Sequence, residues 1–345
     1  MNNIRTFLEW CVILLLALTF SGCSFTGSPR PRPGIYAAAT FGVTFLDANS
    51  LGHHNYSSFW GEKDGIVYTC RGGDIDIAHL RIAADNTYYL YKKISKHLKS
   101  GDTVFTYKLN TDPSVFTVRI GYPPDFESLP KDEQNKIIEQ VSLELAQLCT
   151  WYMVSWHEIL TWVGMNVFFV APQFHSAFAW EDSYSNLMGT IVGAKAIRRG
   201  GNFNDAMTVA IKEELALLEP QSSKVAYHAS DKMRNKWYTG YVDVKMLLRN
   251  MDMGLDNGHV SPALVPGVCP QAEPMNYPVP TLDTAKRYGF TIEIEIKPNG
   301  FTGHPCLSGI YSNGRHGPII PSRDLPAIMK CLEQQARDMG YIVMD

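Results

Sequence analysis

The chain has 345 residues, of which 45% are apolar, 12% aromatic and 19% charged, with 31 Lys and Arg against 34 Asp and Glu for a formal charge of −3. An apolar fraction of that size supplies a sizeable core and excludes global disorder. Nothing in the even, slightly acidic balance favours nucleic acid, whose binders usually carry a basic face, so no nucleic-acid partner is expected.

Residues 1–23 read MNNIRTFLEWCVILLLALTFSGC. Arg5 supplies a positive start, Cys11 to Phe20 an apolar run, and small residues close it, which is the pattern of a secretory signal. The run falls short of the roughly 20 apolar residues that span a bilayer. Its ending, Phe20-Ser21-Gly22-Cys23, resembles the lipobox of bacterial lipoproteins, with Phe20 where Leu is usual. In that family cleavage precedes the cysteine, which is then acylated. The resemblance implies palmitate-type lipidation of Cys23 and membrane lipid as a partner. Several acyl chains on one residue hold firmly, because each buried CH2 contributes about 0.8 kcal/mol. Ser24, rather than Asp, implies by the same resemblance an outer-membrane lipoprotein, with the side of that membrane left open. Residues 24–34 (SFTGSPRPRPG) read as a tether. Residues 35–345 are then the globular region, read as one domain, with a smaller C-terminal subunit from about residue 257 as the alternative division.

Residues 35–55 read as extended or loop, with His53 and His54 at the surface. Gly65 to Thr69 is a short strand, and Ile75 to Leu98 a helix started by Asp74 or Asp76. Thr103 to Lys108 and Val115 to Ile120 make a hairpin around Asn110 to Pro113. From Asp132, apolar residues recur at Ile138, Val141, Leu145, Leu148, Tyr152, Ile159 and Trp162, mostly in steps of three and four, which predicts a long amphipathic helix ending at Gly164 or Asn166. Helices follow over Trp180 to Arg199 and Asn204 to Leu218, with another short one over Val242 to Arg249. The proline-rich stretch from Asn257 to Pro280 is loop. Phe290 to Lys297 (FTIEIEIK) alternates as a half-buried strand, and Asp324 to Met339 is a closing helix. These elements predict an α+β fold with a predominantly helical core, a central buried helix and flanking short antiparallel strands.

Beyond the signal, five cysteines remain: Cys70, Cys149, Cys269, Cys306 and Cys331. An odd number cannot all pair internally. Cys269 and Cys306, in Pro/Gly-rich loops, are the favoured disulfide. Cys149 reads as a buried small hydrophobe and Cys70 as structural.

Residues 149–171 contain only His157 and Glu158 as ionisable groups. A helix apolar on every face is buried in protein or in lipid. A central His-Glu pair and Gly164-Met165-Asn166 argue against lipid, so the segment is expected in the core. A buried carboxylate and imidazole need partners. The zinc-peptidase signature HExxH is not met, because Thr161 stands where its second histidine belongs. Partners must therefore come from elsewhere. Asp76 and His79, three apart, share a helix face behind Asp74. Glu181 and Asp182 open another helix, with His175 nearby as a spare ligand. Ser185, Gly189 and Gly193 form a small-residue stripe that permits close approach of a second helix, expected to be the one carrying His157. Asp76, His79, His157, Glu158 and Asp182 are therefore expected to converge. His79, His157, Glu158 and Asp182 are the candidate ligands of a divalent metal such as zinc, manganese or iron, zinc first. Glu158, His157 and Asp76 are the candidate catalytic groups. Arg81 is the alternative counter-charge for Glu158. The competing reading of the same residues is a buried hydrogen-bond network.

The succession of a lipobox, CRGGDIDIAHLR, WHEILTW and WEDSYSNLMG resembles a family of bacterial lipoproteins described only as a domain of unknown function. The resemblance covers most of the mature chain and implies an envelope location, with no activity to transfer. Two functions remain in view. One is an envelope hydrolase, metal-dependent or not, acting on a cell-wall, glycan or lipid-derived substrate. The other is a non-enzymatic lipoprotein that binds a glycan or partner through exposed aromatics.

Overall fold

The computed structural model describes residues 29, 37–40, 42–55, 61–108, 112, 114–164, 166–167, 171–172, 174, 176–241, 244–300, 302–312 and 317–344. Cys23 and His175 lie outside them, as does most of the expected turn at 110–113.

The architecture is α+β, 46% helical and 16% strand. Strands β1 (Ile66–Thr69) and β2 (Gly73–Asp76) form an antiparallel hairpin that runs directly into helix α1 (Ile77–Lys99). Asp76 is the N-cap, and Asp74 sits inside the strand rather than in a turn. Strands β3 (Val104–Tyr107) and β4 (Val115–Gly121) follow, then the 32-residue helix α2 (Lys131–Trp162). Short strands β5 (Asn166–Val167) and β6 (Ala171–Pro172) lead to α3 (Asp182–Arg199), α4 (Phe203–Leu217) and α5 (Ser223–Lys232).

The expected helix over Val242 to Arg249 is corrected. After β7 (Tyr238–Thr239), the described part of that segment forms β8 (Lys245–Met246) and β9 (Leu248–Asn250). Strands β10 (His259–Val260) and β11 (Tyr277–Pro278) flank the proline-rich loop. The C-terminal part holds α6 (Asp283–Arg287), β12 (Thr291–Lys297), α7 (Pro305–Ser312), α8 (Pro321–Asp338) and β13 (Ile342–Met344).

The largest sheet has the order β12-β4-β3 and is antiparallel. Phe116, Val118 and Ile120 of β4 point inward with Ile294 and Ile296 of β12, the period-two burial that their alternation predicts. β13 pairs with β9 in parallel, Ile342 opposite Leu248.

Helix α2 is buried along its second half, with Trp151, Met153, Trp156, Ile159 and Trp162 in the main core. Among the described residues no helix is long and apolar enough to cross a membrane. Cys149 is buried and free. The disulfides join Cys70 to Cys269 and Cys306 to Cys331, which corrects the expected Cys269–Cys306 pair. His53 is exposed as expected, but His54 is fully buried, with Nε2 2.8 Å from Asp85 Oδ1.

Candidate metal centre

The β2–α1 junction builds one wall of the site. A helix start leaves backbone N–H groups without intrahelical partners, and an aspartate at the N-cap satisfies them. Asp76 does this with Oδ1, which accepts from the backbone N of Ala78 (2.7 Å) and of His79 (3.1 Å). Its Oδ2 faces His79 Nδ1 at 2.7 Å. One carboxylate therefore starts the helix and orients the imidazole on its first turn.

The first turn of α3 supplies the opposite wall. Asp182 Oδ2 accepts from Ala179 N at 2.9 Å, and its Oδ1 lies 3.8 Å from His79 Nδ1. Ser185 Oγ accepts from Asp76 N at 2.9 Å and ties the two walls together. One candidate ligand atom each from Asp76, His79 and Asp182 all lie within 4.8 Å of one another. This group can hold a metal ion. The two aspartates are almost fully buried, while the His79 side chain keeps 21% of its surface accessible and is the reachable member.

Glu158 enters from α2. Its Oε2 accepts from Phe178 N at 3.0 Å, and its charge acts on both His79 and Asp182. Two more buried carboxyl groups stand behind. Asp74 Oδ2 accepts from Trp180 Nε1 at 2.9 Å, and Glu181 Oε1 accepts from Ala38 N at 2.6 Å. Asp74 Oδ1 and Glu181 Oε2 are buried without a hydrogen-bond partner.

The electrostatics follow from this crowding. Burial pushes Asp74 up to about 7, against its Trp180 hydrogen bond. Burial, then the neighbouring Asp182 and Asp74, holds Glu181 well above the usual carboxylate range. Burial likewise raises Asp182, with His79 opposing and Glu158 and Asp76 adding. Burial alone would lower His79, but the charges of Asp76 and Asp182 outweigh it, and the imidazole stays protonated well above its ordinary range. Asp76, Asp182 and Glu158 share one imidazole, and a divalent cation would add counter-charge to such a group. Two carboxylate oxygens and an imidazole nitrogen are donors that a metal ion can take.

The site also has a support that the sequence did not reveal. Arg249 on β9 is fully buried, donates from Nη1 to Ala177 O at 2.6 Å, and lies over the rings of Tyr341 and Trp162 at 4.7 and 5.6 Å. Asn250 donates from its backbone N to Phe178 O (3.0 Å) and from Nδ2 to Trp180 O (3.1 Å). Strand β9 thus clamps the 177–180 turn whose N–H groups hold Glu158 and Asp182. The signal in the sequence is an arginine at the end of an apolar run that reads as a helix.

Three expectations are corrected. His157 does not join the group, because adjacent residues on an α-helix point about 100° apart. Its electrostatic partner is Asp112, and its Nδ1 is buried without a hydrogen bond. Arg81 does not neutralise Glu158; its guanidinium lies 2.7 Å from Asp64 and 3.2 Å from Glu62. The small-residue stripe of α3 packs on α1, not on the helix of His157. A Cβ on Gly189 would lie 2.3 Å from Leu80 O, and one on Gly193 3.0 Å from Ala84 Cα.

A family model described as "Protein of unknown function (DUF4056)" matches residues 38–262, which include every residue of this site. No curated protein and no solved structure matches the chain.

Proposed function

The chain belongs to the DUF4056 family, and from that premise we propose that it is a metal-dependent hydrolase of the bacterial envelope, anchored by lipid at Cys23. The observation that carries this is the convergence of Asp76, His79 and Asp182, from two separate helix starts, within 4.8 Å. Zinc is the preferred ion for a compact carboxylate–imidazole set of this kind. When bound, a divalent ion supplies Lewis acidity toward a carbonyl or phosphoryl oxygen and makes water a usable nucleophile near neutral pH.

The chain's own residues do the rest. Asp76 orients His79 through Nδ1 and holds the first turn of α1 in place. Asp182 is fixed by Ala179 N. Glu158 keeps one oxygen on Phe178 N, leaving the other to take a proton from an attacking water as general base. Burial of the carboxylates keeps competing water out of the ligand set. The substrate class follows from the proposed address: an ester, amide or glycosidic bond of a wall, glycan or lipid component.

The test is metal analysis of the purified chain together with Glu158→Gln. The amide oxygen of Gln can still accept from Phe178 N, so the variant should fold and keep its metal while losing hydrolysis of envelope extracts. A parent chain that retains no divalent metal would leave the network reading, a binding lipoprotein with a structural polar core.

A further inference from the structure

Ala37, Ala38 and Ala39 are buried in a small core with Ala226, Ala229, Met233 and Tyr238. Ser230 Oγ donates to Ala38 O at 2.9 Å, and Ala38 N donates to Glu181. From Cys23 to Ala37 an extended chain reaches about 50 Å at most.

The outer side of this lobe carries aromatic and cationic side chains together. Lys224, Tyr227, His228 and Asp231 recur at one-turn spacing and share the exposed face of α5, whose other face carries buried Ala226, Ala229 and Ser230. Tyr227 and Tyr241 are 52% and 62% exposed. The Arg234 guanidinium sits over the rings of Tyr238 and Tyr241, at 5.1 and 5.2 Å. Lys232, Lys236 and Lys245 are exposed around them. Residues 223–246 hold five Lys and Arg against two Asp, in a chain whose formal charge is −3. Tyrosine interleaved with lysine and arginine suits the headgroup zone of a bilayer, where the ring takes the interface and the cations meet anionic lipid.

We infer that the lobe of α5 and the β7–β8 hairpin docks on an anionic phospholipid bilayer. Charge complementarity selects the lipid. The inference rests on the proposed membrane attachment, which would bring the chain within reach of that lipid. It deepens the functional reading, because Trp180 packs on Trp237 and Tyr238 of the lobe with ring centroids at 5.4 and 6.0 Å. The Asp182 helix start thus lies directly behind the docking face, and the proposed site works in the interfacial zone.

The experiment incorporates the full chain, as parent and as Cys23→Ser, into vesicles of phosphatidylethanolamine with and without photoactivatable phosphatidylglycerol. Crosslinked peptides are then mapped by mass spectrometry. Adducts should concentrate in residues 224–245 in both chains, weaken in high salt, and fall about tenfold when Lys232, Lys236 and Lys245 are changed to Glu. Adducts confined to residues before 37 would keep the anchor and overturn the docking face. Adducts at 224–245 with no loss of vesicle retention in Cys23→Ser would keep the docking face and overturn the anchor. Adducts scattered over other faces, or unchanged by charge reversal, would overturn the docking face in either chain.

Discussion

The carbonyl oxygen of Leu80 stands 2.3 Å from where a Cβ of Gly189 would be. Helices α1 and α3 therefore approach backbone to backbone, and this approach brings the first turn of one, with His79, to the first turn of the other, with Asp182. Gly189→Ala should destabilise the protein by about 1–3 kcal/mol, since the Cβ meets backbone that cannot step aside. Gly193→Ala, whose nearest atoms are at 3.0 Å, should cost less. Urea denaturation of both variants checks the order, and equal stability of Gly189→Ala and the parent would contradict it.

Asp182→Asn and His79→Ala should each weaken zinc binding by about 100-fold or more, beyond the loss expected for an outer-shell partner. His157→Ala should leave it unchanged, because His157 is not part of the group formed by Asp76, His79 and Asp182. Competition against a chromogenic chelator reads all three, and a comparable loss in His157→Ala would place the wrong histidine at the metal.

Arg249→Met keeps much of the side chain's volume but removes the bond to Ala177 O. With the 177–180 turn loosened, zinc affinity should fall by about 10- to 100-fold. Far-UV circular dichroism separates this from unfolding: the helical signal should persist while affinity drops.

The metal-free protein should lose stability as pH rises through the neutral range. Asp74 is raised from 3.8 to about 7 in the fold. Between those values the unfolded carboxyl has released its proton and the folded one has not, so folding loses up to roughly 4 kcal/mol by neutral pH. His79, raised by Asp76 and Asp182, acts in the same direction: its contribution is complete below its ordinary value and fades as pH climbs through its folded value. Metal binding requires deprotonated ligands and reverses the slope. Melting of chelator-treated protein should therefore occur at a higher temperature near pH 5 than near pH 8, and added zinc should narrow or invert the gap.

Removing the Cys70–Cys269 disulfide by serine substitution should cost about 2–5 kcal/mol, since it closes a long loop. Cys149→Ala should cost less and leave both bridges intact. Thermal melts with and without reductant check this, and reductant should leave the doubly substituted chain affected only through Cys306–Cys331.

What could be read from residue order was what depends on local pattern. The alternation FTIEIEIK is β12, the three-and-four steps from Ile138 to Trp162 are α2, and an aspartate before an apolar run caps α1 at Asp76. The acids at the start of α3 and the pair Asp76 and His79 were visible for the same reason. What failed depended on direction or distance. His157 and Glu158 are neighbours in sequence, yet the helix sends one toward Asp112 and the other toward Asp182. The partner of Cys70 lies 199 residues away, and no local signal encodes that closure. The role of Arg249 depends on Ala177 and Tyr341, which only the fold brings together.

The parallel pairing of β13 with β9 sets an order of events. A polypeptide is made, and an exported one is delivered, from its N-terminus onward. Every residue that touches the proposed ion, from Asp76 to Asp182, has emerged while Arg249 still lacks the ring of Tyr341 and β9 lacks its neighbour at Ile342 to Met344. Until then the turn that aims Glu158 and Asp182 has only half its clamp. The turn that aims Glu158 and Asp182 is thus held from the far end of the chain, and a chain clipped before Tyr341 would keep the proposed ligands with only part of that clamp.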